Sequence, residues 1–177
     1  SLDPVAEPNT TGMGDMELGI QFLAFGGERD LLFFALNATV PTGDPDRDLG
    51  SGSTVLEPTA LWLHDFGCGT YFQSRFGWEV PISTEDVTNE FRYDLGLYHT
   101  FLSTDQWCSF RYLTPLIEFN GVTALNGADS SETVLDVTPG VRWIVRDYDE
   151  LGVGLSFPVT GTQNFDWQLL LSYRRHF

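Results

Sequence analysis

The segment Phe165-Asp166-Trp167-Gln168-Leu169-Leu170-Leu171-Ser172-Tyr173-Arg174-Arg175-His176-Phe177 decides how the rest of the chain reads. Its odd positions carry Phe165, Trp167, Leu169, Leu171, Tyr173 and Phe177, with Arg175 the departure. Its even positions carry Asp166, Gln168, Ser172, Arg174 and His176 around Leu170. Side chains of an extended chain point alternately to opposite faces, so a period of two means a strand with one apolar, aromatic face and one polar face.

The same division recurs upstream. Leu151, Val153, Leu155 and Phe157 alternate with Gly152, Gly154 and Ser156, and Leu135, Val137, Val141 and Trp143 with Asp136, Thr138, Gly140 and Arg142. Phe91, Tyr93, Leu95 and Leu97 alternate with Glu90, Arg92, Asp94 and Gly96, and Met16, Leu18, Ile20 and Phe22 with Glu17, Gly19 and Gln21. About nine strands of roughly 10 to 13 residues fit the chain. That exceeds the globular norm of about 5 or 6 and approaches the roughly 9 to 11 with which a tilted strand crosses a bilayer. The connections alternate as well. Tight turns at 26–30, 66–69, 103–106 and 146–149 are interleaved with looser polar stretches at 43–54, 83–89 and 126–133. Short turns on one rim and longer loops on the other characterise outer-membrane barrels, the short set being periplasmic. Pro41, Pro81 and Pro158 mark strand ends at the long-loop rim, where the missing N–H does least harm.

Composition bounds the rest. With 177 residues and 42% hydrophobic content the chain is the size of one domain, and its longest apolar runs, such as Leu31 to Leu36, are far short of a membrane-spanning helix. The formal charge is −16 and every basic residue is Arg. Such a chain repels a phosphate backbone, which excludes nucleic acid as a partner. Cys68 and Cys108 fit neither a zinc site nor a disulfide framework, and about two strands separate their turns.

A soluble sandwich would alternate too, with the apolar face inward. Three features favour a membrane barrel in its place: opposite charges mixed with Gly and Ser on the polar face, aromatics such as Trp107, Trp143, Trp167 and Tyr173 at strand ends, and a terminal strand closing on Phe177. The expected fold is therefore all-β, an antiparallel up-and-down transmembrane β-barrel over 14–177 preceded by a loop or extension at 1–13, in the bacterial outer membrane.

The ending Leu169 to Phe177 resembles the C-terminal signal of bacterial outer-membrane proteins, with Tyr173 and Phe177 as the residues that the barrel-assembly machinery would read; Arg175 departs from it. Val40-Pro41-Thr42-Gly43-Asp44, Gly50-Ser51-Gly52-Ser53-Thr54, Glu57-Pro58 and Gly152-Val153-Gly154-Leu155-Ser156-Phe157-Pro158-Val159-Thr160-Gly161 resemble the transporter family of the phenol meta-degradation pathway, over most of the chain from Gly14 onward. That resemblance implies passive passage of small molecules, hydrophobic or aromatic compounds among them. If Phe177 is periplasmic, counting back through nine strands starts the first on the outer rim. Barrel chains normally begin in the periplasm, so the parity predicts the C-terminal part of a barrel of about 12 strands.

The residues expected to line the lumen are Glu17, Gln21, Glu57, Arg75, Glu79, Glu90, Arg92, Asp94, Glu118, Asp136, Arg142 and Arg174. They either line a pore for a small-molecule solute or interlock as a plug. Asp44, Asp46 and Asp48 alternate in an outer loop and could wrap a divalent cation, but Leu49 and Val55 stand where a calcium loop needs Gly and Glu, so a solvated acidic loop is the favoured reading. His64, His99 and His176 accompany no nucleophile motif; the chain is expected not to be an enzyme and to need no cofactor, with His64 and His99 on the apolar face near the short-turn rim. The expected function is an outer-membrane channel or transporter embedded in lipid and lipopolysaccharide. The alternative is a structural or interaction barrel with a plugged lumen and cation-binding acidic loops.

Overall fold

The computed structural model describes residues 11–47, 49–82, 88–102, 110–127, 130, 132–145, 149–160 and 166–175. They form β1 (Met16–Gly26), β2 (Asp30–Val40), β3 (Val55–Gly67), β4 (Thr70–Pro81), β5 (Glu90–His99), β6 (Phe101–Leu102), β7 (Phe110–Ala124), β8 (Thr133–Val145), β9 (Asp149–Pro158) and β10 (Gln168–Arg175), with a single 3-10 turn at Pro45–Arg47. The strands make one sheet in the order β1-β2-β3-β4-β5-β7-β8-β9-β10, the two-residue β6 pairing with β7. Every pairing is antiparallel. The up-and-down all-β architecture read from alternation is thus the observed one. Among the described residues β1 and β10 do not pair, so no closed eight- or ten-stranded barrel forms from them. Each connection between successive long strands reverses the chain, so β1 and β10 run in the same direction and cannot close the sheet as an antiparallel pair.

Local chemistry explains the ends and irregularities. The two residues between β3 and β4 sit in a turn where Gly67, Cys68 and Gly69 have φ of 85°, 54° and 80°. That left-handed backbone costs Gly little and costs Cys68 the usual Cβ penalty. Register shifts fall at Leu23/Phe25, Asp65/Gly67 and Phe110/Tyr112, all at the rim of short turns, where bulges commonly terminate pairing. Pro81 and Pro158 end β4 and β9 as expected. Pro58, Pro115 and Pro139 lie inside strands, Pro139 at the apolar parity that Leu135, Val137, Val141 and Trp143 set. The β3–β4 ladder skips Glu57 and Pro58, and the β8–β9 ladder skips Thr138 and Pro139, because proline has no N–H to donate.

Packing separates the two faces. Tyr98, at 5% exposure, is the one large hydrophobic side chain buried among the described residues. Leu18, Ile20, Phe22, Phe76, Trp78, Leu97, Phe119, Leu155, Leu169 and Leu171, all on one face by register, are exposed. This is the inverse of a sandwich, whose apolar faces meet in a dry core, and that alternative is discarded. The apolar face is still organised. The Tyr93 ring covers its cross-strand partner Gly121, filling the space a Cβ would take, so that glycine is needed for packing against an aromatic. The sheet also curls. Gln73 and Arg75 of β4 and Arg174 of β10 line a common cavity of about 410 Å³. On a flat sheet five strand spacings of about 4.8 Å would hold them roughly 24 Å apart. The polar face is the concave one.

Candidate functional site: the concave polar face

Cross-strand register puts all twelve expected lumen residues on this one face. Arg75 opposes Asp94, Glu79 opposes Glu90, Asp94 opposes Asn120, Glu118 opposes Thr138, and Arg174 opposes Glu150. Glu17 and Gln21 lie on the same face of β1. The structure also shows how the charges are matched. Arg75 is clamped between Glu57 on β3 and Asp94 on β5, its Nη1 donating to Asp94 Oδ2 at 3.1 Å. Glu57 accepts a further bond from Asn37 Nδ2 at 3.2 Å. Arg92 lies 2.7 Å from Glu79 Oε1 and 3.1 Å from Glu90 Oε2. Arg142 Nη2 and the Tyr98 hydroxyl both donate to Glu118 Oε1, at 2.8 Å and 2.7 Å, while the guanidinium stands 5.2 Å from the Tyr98 ring centre. Arg174 is the loosest of the four, 3.7 Å from Glu150 and mostly exposed. Each such pair alone is worth about 0–1 kcal/mol where solvent reaches it, and shared oxygens make the whole stiffer than the separate pairs.

The pairs run along the wall. Glu57, Arg75 and Asp94 sit on three successive strands, and Glu118 and Arg142 on two neighbours. Carboxylates outnumber guanidiniums: Glu17, Glu57, Asp65, Glu79, Glu90, Asp94, Glu118, Asp136 and Glu150 share the face with Arg75, Arg92, Arg142 and Arg174.

Sequence reading left out Tyr98 and Tyr71, which stack with ring centres 4.8 Å apart and planes within 6°. It also left out Asn37, Gln73, Asn120 and Glu150, which share the concave face. Their parity was the available signal: Tyr98 continues the series Asp94, Gly96, and Tyr71 the series Arg75, Gln73.

The remaining sites resolve as follows. His64 and His99 lie on the outer face near the short turns as expected, each held by a neighbour. His64 Nδ1 is 2.8 Å from Asp30 Oδ1, which also accepts from Trp62 Nε1 at 3.0 Å. His99 Nδ1 is 2.7 Å from Thr70 Oγ1. With Phe66 and Phe101 edge-on to these imidazoles they form an aromatic belt at that rim. Tyr173 faces outward and donates to Asp149 Oδ1 at 2.9 Å; Phe177, His176 and Trp107 lie outside the described residues. Cys68 is a free, exposed thiol, and Cys108 lies outside the described residues. Asp48 does too, and among the described residues no three acidic, His or Cys side chains gather as a metal cluster. Asp44 instead organises its own turn, accepting from the Asp46 N–H at 3.2 Å.

A different carboxylate shapes the outer loop. Asp15, just before β1, accepts from Ser51 N at 2.7 Å, Ser51 Oγ at 2.8 Å and Gly43 N at 3.0 Å. The backbone N–H of Ser51, then that of Gly43, hold its carboxyl below the ordinary aspartate range. The β2–β3 loop is thereby fastened to the start of the sheet.

No curated protein matches this chain. A family model described as "Putative MetA-pathway of phenol degradation" matches residues 1–166, and the chain belongs to that family.

Proposed function

We propose that the chain forms the wall of a bacterial outer-membrane β-barrel through which small molecules pass passively along the concave polar face. One observation carries this reading: the large apolar side chains stand exposed on the convex face while the charges line the inside. In water such a surface would aggregate; against lipid it is the stable arrangement. Dimensions agree. Phe91 near the long-loop rim and His99 near the short-turn rim bound nine residues of β5, within the roughly 9 to 11 with which a tilted strand crosses a bilayer. Because β1 and β10 run in the same direction, all-antiparallel closure takes an odd number of further strands between them, which yields the even total usual in such barrels.

Among the described residues the ion pairs join neighbouring strands, so they stiffen the wall without bridging across the concave face. The carboxylate excess favours neutral and cationic solutes over anions. The family description favours aromatic compounds of degradative metabolism as the solute class. Conductance of the full chain in planar bilayers tests the reading: discrete channels with a reversal potential favouring cations are expected. Absence of conductance at every voltage overturns it in favour of a plugged, structural barrel.

A further inference from the structure

We propose that a pocket at the short-turn end of the concave face, between Tyr71 and Tyr112, is a binding station for a neutral, hydroxylated single-ring aromatic solute; this rests on the channel reading above and specifies its solute. The pocket has a volume of about 230 Å³. A dry cavity of about 150 Å³ admits benzene, so the pocket has room for one ring with a hydroxyl or two. Its walls are of two kinds. Tyr71, Tyr112 and Ile144 supply apolar and π surface, while Thr114, Arg142 and Glu150 supply hydrogen-bonding groups.

The walls are held before any solute arrives. Tyr71 is stacked flat on Tyr98, and Tyr98 is fixed through its hydroxyl to Glu118 Oε1. Arg142 is fixed to that same oxygen, and the Thr114 hydroxyl is bonded to Thr100 at 2.9 Å. A site whose side chains are already ordered loses little entropy on binding. Charge decides between a phenol and an aromatic acid. Arg142 is matched by Glu118 and Arg174 lies beside Glu150, so a solute carboxylate would leave one carboxylate without its counter-charge in a partly desolvated pocket. A neutral hydroxyl donates and accepts without that cost.

The test uses the full chain in detergent micelles, with phenol and benzoate as probes in equilibrium dialysis and empty micelles as the baseline. Tyr112→Ala removes a wall and Ile144→Trp fills the space; two variants guard against one misfolding, with circular dichroism as the check on strand content. Saturable phenol binding is expected, weakened about tenfold in each variant, with benzoate about tenfold weaker than phenol in the parent. Non-saturable uptake that is equal in parent and variants, or benzoate binding as well as phenol, overturns the station. Conductance persisting without saturable phenol binding discards the station and leaves the channel. Saturable binding without conductance keeps the station and discards the channel.

Discussion

Replacing Arg75 by Met keeps most of the aliphatic stem and removes the charge shared by Glu57 and Asp94. The two carboxylates respond differently because their exposures differ: the Glu57 side chain is 10% exposed and that of Asp94 38%. Asp94 returns to water at little cost, within the ~0–1 kcal/mol of solvent-exposed pairs. Glu57 is nearly buried and keeps the Asn37 amide as its remaining described side-chain partner. Losing a charge-assisted partner there costs about 1–3 kcal/mol. The variant should therefore be destabilised by about 2 kcal/mol, most of it from one stranded carboxylate. Urea unfolding in detergent micelles at neutral pH, followed by circular dichroism, reads this as a lower midpoint at unchanged slope. The double variant Glu57→Gln/Arg75→Met removes the stranded charge and should recover about half of the loss or more. The reasoning is refuted if Arg75→Met unfolds at the parental midpoint, or if the double variant is less stable than the single one.

Face assignment predicts opposite outcomes for one added charge. Leu95→Arg, outward and mid-strand, should cost about 2–4 kcal/mol in lipid vesicles, whereas Gln73→Arg, on the concave face, should stay within about 1 kcal/mol. Equal effects in unfolding titrations would contradict the assignment. The Asp15 carboxylate has a folded pKa below its ordinary value, so the clasp it makes is complete above about pH 4 and is lost as pH falls through the lowered value. The amide resonances of Gly43 and Ser51 should accordingly titrate with a midpoint below that of an unstructured aspartate, and Asp15→Asn should abolish the transition; an ordinary midpoint would argue against the clasp. In the β3–β4 turn Cys68→Gly relieves a left-handed φ of 54° and should raise stability by roughly 0.5–1 kcal/mol, measured as an upward shift in thermal midpoint. A drop in midpoint would show that the Cys68 side chain contributes something the turn geometry does not.

Much of this architecture could be read from parity. Period two gives the face of each strand residue regardless of which strand sits beside it, so Glu17 through Arg174 were assigned to one side before any pairing was known. What parity omits is register. That Arg75 meets both Glu57 and Asp94, or that Arg142 and Tyr98 converge on one oxygen of Glu118, depends on offsets between strands set by turn lengths and bulges such as Asp65/Gly67. Tyr71 and Tyr98 were passed over because an aromatic residue at a polar parity looks like an interruption of the pattern, although it is a wall of the site. The interior prolines fit the apolar parity, as Pro139 does between Val137 and Val141, so the pattern gives their face while only the ladders reveal the missing donors. The Asp15 clasp joins residues that share no periodic element, so composition gave no hint of it.

The central claim is that the convex face lies against lipid. Trp78 is exposed on that face toward the long-loop end of β4, Trp62 is exposed on it near the middle of β3, Trp143 lies on it near a short turn, and Trp167 is exposed just before β10. Quenching of the native tryptophan fluorescence by lipids brominated at different depths, compared with quenching by aqueous iodide, tests it without altering the protein. Strong quenching is predicted from bromines near the headgroup end of the acyl chains, weaker quenching from bromines near the bilayer centre, and little from iodide. Efficient iodide quenching with no response to brominated lipid would contradict the account.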